Sequence, residues 1–362
     1  MSSSRSSVIA SIVIVVIVFG SVGGLLFLTN QYEPSSVAVV VMNPGFGDSS
    51  RADQIYEGMM DTASEVSVQY YTPDAPATES EAETLIENLA ASGHHQLIIV
   101  VGHELQDELQ RVAALYPNQK FAMIGGFVNL DNVASATFEV HEAAFIAGVV
   151  AAFVASDDPY NGTVGILGSV PTDHDGQRMI AGFTQGVETA NTAYDLNVEL
   201  LSPRYVGSYN DSATAASMVE TLYTVDFCSV VFTPVRASIW GIREGMLAAN
   251  ETLSILDRRP LAIAAEMNQD YIGNPNPNIA TGPSWMITSV VIRSDVALNH
   301  IIVETLWDRF PGGQNFNYNL ENMGVNITDF RFSNTVVDWD YIHLAWDFSQ
   351  AVINGTITVN DS

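Results

Sequence analysis

The chain has 362 residues, 47% of them hydrophobic, which is enough to bury a sizeable core and suggests two lobes rather than one. Its 41 acidic residues against 13 basic ones give a formal charge of −28, a balance that repels nucleic acid and anionic lipid headgroups alike. Cys228 is the only cysteine, which excludes an intrachain disulfide and a multi-cysteine metal site, and its apolar run FCSVVF reads as core.

Residues 8–28 (VIASIVIVVIVFGSVGGLLFL) carry no charge. Roughly 20 helical residues span a bilayer core of about 30 Å. Arg5 and the chain terminus supply the nearby positive charge and precede the segment. The positive-inside rule then predicts residues 1–7 as a cytoplasmic tail, 8–28 as a single-pass transmembrane anchor in the cell membrane, and the remainder as extracellular. A cleaved signal peptide is the alternative, although the stretch is long for one and no small-x-small cleavage site follows it. Residues 29–36 read as a polar tether. N-x-S/T sequons at Asn161, Asn210, Asn250, Asn326, Asn354 and Asn360 agree with an outside location.

From residue 37 apolar, β-branched runs alternate with helical spacing. Strands are predicted at 37–42, 66–71, 97–101, 121–124 and 133–138, with helices at 56–65, 79–91 and 104–116 between them. The alternation resumes with a helix at 142–155 and strands at 163–167, 198–201, 229–232 and 261–265, separated by helices at 177–190, 213–223 and 239–250. A strand at 286–291 and helices at 295–309 and 340–354 follow. Near-continuous apolar strands separated by helices mean α/β lobes with parallel sheets covered on both faces. Lobe 1 is expected at 37–140 and lobe 2 at 141–265. Residues 266–362 are expected to return to lobe 1 through hinge crossings and a C-terminal hairpin and helix. Open α/β sheets bind ligands at the carboxyl ends of their strands, so the ligand site is expected in the cleft between the lobes.

Enzyme motifs fail on inspection. His141-Glu-Ala-Ala-Phe145 begins like HExxH but ends in Phe where the second zinc ligand belongs. Gly45-Phe-Gly47-Asp-Ser-Ser50 begins like GxGxxG and ends in Ser. Asp173-His-Asp175 sits in a Pro- and Gly-flanked stretch and reads as a solvated turn rather than a metal site. No G-x-S-x-G occurs. No catalytic constellation, metal or cofactor is predicted.

An ordered set of segments carries a resemblance. They are Gly47-Asp-Ser-Ser-Arg51 with Tyr56-Glu-Gly58, Tyr116-Pro-Asn-Gln-Lys-Phe-Ala122, and Asn132-Val-Ala-Ser135 with Phe138 and His141-Glu142-Ala-Ala-Phe145-Ile-Ala-Gly148. Ala181-Gly-Phe183 with Gly186-Val187, Tyr205-Val-Gly-Ser-Tyr-Asn-Asp211 and Thr288-Ser-Val-Val-Ile-Arg-Ser-Asp295 continue the series, and 318–325 and 353–359 resemble a late hairpin and tail. Together they resemble the basic membrane protein family of ABC-transporter substrate-binding proteins, whose type is a purine-nucleoside receptor. The resemblance implies a two-lobed periplasmic-binding-protein type I fold, an extracellular monomer, and ABC permease and ATPase subunits as partners. It further implies a small-molecule ligand, with aromatic rings stacking on a purine while carboxylates and a lysine hold the sugar.

Against that pattern the ligand-binding candidates are Phe46, Asp48, Arg51, His103, Gly125, Met179, Arg236 and Glu266. Asp48 keeps the family's acid. Arg51 stands where a stacking Phe is expected, Gly125 where an Asp is, and Met179 where an aromatic is. Arg236 falls in a segment that is usually Gly-rich, Glu266 lies at a post-strand acid position, and Ile292 replaces the lysine. Phe46 offers aromatic area and His103 lies at a strand end facing the cleft. The two added guanidiniums suit a carboxylate or phosphate, so the ligand is either a purine nucleoside or an anionic analogue. A signalling ectodomain and a hydrolase using Asp48 and Glu266 are the alternative functions.

Overall fold

The computed structural model describes residues 35–276 and 282–362. The expected tail and anchor, with most of the tether, lie outside these residues. No helix among the described residues is long and apolar enough to cross a membrane.

The first half alternates strand and helix: β1 (Ser35–Val40), α1 (Arg51–Glu65), β2 (Val68–Tyr71), α2 (Glu79–Ser92), β3 (Leu97–Val101), α3 (Gln106–Leu115), β4 (Phe121–Ile124) and β5 (Val133–Phe138). After α4 (Val140–Ser156) come β6 (Thr163–Gly168), α5 (His174–Tyr194), β7 (Glu199–Leu200), β8 (Arg204–Tyr205), α6 (Ser212–Thr224), β9 (Val230–Thr233), α7 (Ile239–Leu253) and β10 (Leu261–Glu266). The last part holds β11 (Met286–Ile292), α8 (Ser294–Leu306), β12 (Asn315–Tyr318), β13 (Val325–Ile327) and α9 (Trp339–Ile353).

Two sheets result. One runs β12-β5-β4-β3-β1-β2 and all its pairings are parallel. The other runs β13-β11-β10-β9-β6-β7, parallel except for the antiparallel β11–β13 edge, with β8 beside β6. β3, β4, β6, β9 and β10 are buried along their whole length, as helix cover on both faces requires. This is the two-lobed α/β architecture that the alternation predicts.

The third part departs from expectation. β11 does not return to lobe 1: it pairs with β10 and extends the lobe 2 sheet. The chain crosses back only afterwards, where α8 packs on α1 and β12 joins β5. It then crosses again, because β13 pairs with β11 and α9 packs on α4 in lobe 2. The expected hairpin over 318–325 is therefore no hairpin; its two strands belong to different sheets. An apolar strand looks the same whichever sheet receives it, so its run of hydrophobic residues carries no address.

Several sequence motifs turn out to be halves of helix contacts. α4 is apolar all round and almost wholly buried, as a helix enclosed by protein must be. A Cβ on Gly148 would strike the Phe183 carbonyl, and one on Gly186 the Phe145 carbonyl. The His141–Gly148 and Ala181–Val187 segments thus form one close α4–α5 interface. The Tyr56-Glu-Gly58 turn meets Asp295 in the same way, joining α1 to α8.

Candidate functional site

Strand ends from both sheets converge between the lobes. Beyond β1 the chain turns through Asp48, whose carboxylate accepts from the backbone N–H groups of Ser50 (2.8 Å), Ala52 (3.2 Å) and Asp53 (3.2 Å). Asp48 thereby satisfies the free donors at the start of α1 and complements the helix dipole. This cap starts α1 at Arg51, five residues before the apolar periodicity shows it, and aims the Arg51 side chain into the cleft. Burial pushes the Asp48 carboxyl up to about 6, with Glu266 adding to the effect and the three backbone donors opposing it.

Beyond β3 the chain passes Gly102, at φ +106°, a conformation that L side chains rarely adopt. A Cβ there would also meet the Glu104 carboxylate, so the glycine lets Glu104 fold back toward the cleft. Beyond β6, Asp173 and Asp175 flank the start of α5; beyond β9 lies Arg236; and β10 ends in Glu266. Glu266 is 2% exposed and holds φ +83°, a strained value for a residue with a side chain. Such strain costs about 1–3 kcal/mol and persists only where the surroundings over-determine it.

These groups form one ion-pair network that joins the lobes. From lobe 1, Arg51 Nη2 donates to Asp175 (2.7 Å) and Glu266 (3.2 Å) of lobe 2. From lobe 2, Arg236 donates to Glu104 of lobe 1 (3.1 Å) and, within its own lobe, to Asp173 at 2.6 and 3.2 Å. Ser50 Oγ adds a bond to Glu266 (3.1 Å), and the Arg236 guanidinium lies 4.2 Å from the Tyr209 ring centre. Burial alone would raise the Asp175 carboxyl, but Arg51, His174 and Arg236 beside it hold it well below the usual carboxylate range. Glu104 is also lowered, since Arg236 and Arg51 outweigh its burial. At the rim, His103 of lobe 1 stacks on His174 of lobe 2 with centroids 3.7 Å apart. Burial, then the neighbouring imidazole, lowers the His103 pKa.

The side chains nearly fill the cleft. Two small cavities remain, of about 30 and about 20 Å³, each with room for about one or two waters. Asp48, Glu104, Tyr209 and Arg236 line the first; Gly125, Phe138, Asp175, Glu266 and Ile292 line the second. Arg51 borders both and divides them.

The structure brings Asp48, Arg51, Gly125, Arg236 and Glu266 into this cleft and sets His103 at its rim. Two expected residues lie elsewhere. Met179 is 0% exposed in the α5 core and lines neither cavity, because the cleft-facing end of α5 is its first turn and not its second. Phe46 packs on Tyr56 with ring centres 5.9 Å apart, outside both cavity linings. The reading of Asp173-His-Asp175 as a solvated turn is overturned: Asp173 and Asp175 are 2% and 7% exposed and bind the two arginines. Glu104, Tyr209 and His174 also escaped sequence reasoning. Their one available signal was position, just past β3, inside the Tyr205–Asp211 motif and just past β6.

A family model described as ABC transporter substrate-binding protein PnrA-like (Bmp) matches residues 35–362. The chain belongs to the Bmp family. Among similar proteins, the ABC transporter nucleoside-binding protein BmpA of Lactococcus lactis is 24% identical over 293 residues, covering 80% of each chain. A CD4+ T-cell-stimulating antigen of Listeria innocua is 23% identical over 331 residues, covering 90% of this chain and 87% of that one. The crystal structure of an ABC transporter system solute-binding protein from Aeropyrum pernix superposes with a TM-score of 0.78 at 23% identity, covering 91% of this chain and 94% of that one. The Bmp fold thus holds along the described chain, and the family is one of substrate-binding proteins rather than enzymes.

Proposed function

We propose that this Bmp-family chain is the extracellular solute-binding subunit of an ABC importer and captures a small polar solute, a nucleoside or related compound, between its lobes. The observation that carries the reading is the convergence of charged groups from both sheets on one cleft, at the strand ends where open α/β sheets bind ligands. A solute that contacts both lobes stabilises the closed form, because only that form makes both sets of contacts. Arg51 and Arg236 bridge the cleft, so a solute enters by displacing guanidiniums from carboxylates. Asp48, Glu104 and Glu266 then present acceptors suited to sugar hydroxyls. The name of the Lactococcus lactis relative supports a nucleoside. In this reading the chain works as a monomer held at the cell membrane by residues 8–28 and delivers its solute to permease and ATPase subunits.

A thermal-shift screen of purine and pyrimidine nucleosides, nucleobases and sugars tests it. A ligand at a hundredfold excess over Kd stabilises by about 2.7 kcal/mol. A shift with one nucleoside class supports the reading; no shift with any solute contradicts it.

A further inference from the structure

The two arginines that make the cleft look suited to anions are already committed. Four carboxylates surround them: Asp175 and Glu266 lie against Arg51, and Glu104 and Asp173 against Arg236. Glu266 also reaches Arg236 at 3.5 Å, and Glu104 reaches Arg51 at 3.7 Å. Four carboxylates against two guanidiniums leave the cluster with a formal charge of −2 before Asp48 is counted. The guanidiniums are 14% and 12% exposed, and three of the four acids are below a tenth exposed, so water screens little of this charge. Among the described residues, one buried side-chain atom of the network lacks a hydrogen-bond partner. Arg51 Nη1 is buried without one, and Glu104, at 3.7 Å, is too distant to serve. Arg51 borders both cavities. A buried donor without an acceptor costs free energy that a ligand acceptor recovers.

We propose that the cleft selects solutes by charge: it admits a neutral or cationic solute that offers an uncharged acceptor to Arg51 Nη1, and it rejects carboxylates and phosphates. Glu104, Asp173, Asp175 and Glu266 are the residues that impose this selection. The inference rests on the proposed solute-binding function and reverses the anionic ligand that Arg51 and Arg236 suggest when read singly. An added anion faces like charges at contact distance, which weakens its binding. A protonated amine instead brings the formal charge of the cluster from −2 to −1.

The test compares matched solutes that differ only in charge. Dissociation constants are measured for the full chain at fixed ionic strength with adenosine and guanosine, their 5′-monophosphates, ribose and ribose 5-phosphate. The expected result is binding of the neutral member of a pair, with its phosphate weaker by more than about tenfold. Glu104→Gln, and separately Asp173→Asn, each verified as folded by circular dichroism, should narrow that gap. A monophosphate that binds as tightly as its nucleoside overturns the charge selection while leaving solute binding intact. A gap unchanged in both folded variants removes these acids as its cause and overturns the assignment. Binding of no solute of either charge contradicts the solute-binding reading itself, and this inference falls with it.

Discussion

Arg51 shows how one residue changes meaning between sequence and structure. In the sequence it is a guanidinium where an aromatic ring is expected. In the fold it is an interlobe bridge held by Asp175 and Glu266. Removing it leaves buried Asp175 without a guanidinium and Glu266 with only the longer Arg236 contact at 3.5 Å, which costs on the order of 3 kcal/mol of the closed form. Arg51→Ala is therefore expected to open the cleft when no solute is added, read as a larger radius of gyration in small-angle X-ray scattering than that of the unaltered chain. An unchanged radius would mean that Arg236 and the remaining contacts suffice. Two other acids predict the pH response. Burial pushes both Asp48 and Asp270 up from 3.8 to about 6. A group whose pKa is raised on folding binds protons more tightly in the folded state, so its contribution is present at low pH and lost as pH rises through the folded value. These two residues therefore make stability grow as pH falls from about 6 toward about 4. Asp175 acts oppositely, its lowered carboxyl losing its contribution only at lower pH. Asp270→Asn should flatten the rise in a thermal melt series between about pH 6 and about pH 4. A rise of the same size in that variant would remove Asp270 as a source.

At the scale of elements, the strands were the most legible part. Runs such as LIIVV at 97–101 and FAMI at 121–124 are strands at the positions their apolar character predicts. Helix starts were less so: α1 begins at Arg51, where the Asp48 carboxylate accepts from Ala52 and Asp53, and α5 begins at His174, both ahead of their apolar spacing. The crossings of the last hundred residues were illegible, since β11, β12 and β13 choose sheets by tertiary fit. Asp173 and Asp175 were misread for a related reason. In a chain of charge −28 one more acidic loop looks solvated, and only the arginines brought from distant sequence bury it. The glycine interface was legible as motif but not as contact. In an exposed helix Gly→Ala stabilises by roughly 0.5–1 kcal/mol. Gly186→Ala should instead destabilise by about 1–3 kcal/mol, because its Cβ meets the Phe145 carbonyl across the α4–α5 contact. A chemical denaturation midpoint gives the sign, and a stabilised variant would contradict the packing described here.

For the whole molecule, three chain crossings between the lobes, after β5, after β11 and between β12 and β13, tie two sheets into one hinged body. Charge does the joining at the cleft: pairs from Arg51 and Glu104 reach across, and Trp240 of lobe 2 donates to Ser49 of lobe 1 at 3.0 Å. Ion pairs of this kind hold the lobes while leaving them separable, whereas an apolar interface of the same area would resist opening. A solute site that straddles the lobes must leave its mark on both. Hydrogen–deuterium exchange, with and without the solute that gives the largest thermal shift, tests this most directly. The account predicts added protection in both lobes together, at the segments around 48–52, 102–105, 173–177, 236–239 and 266–269. Protection confined to one lobe, or centred away from these strand ends, would contradict a solute bound between them.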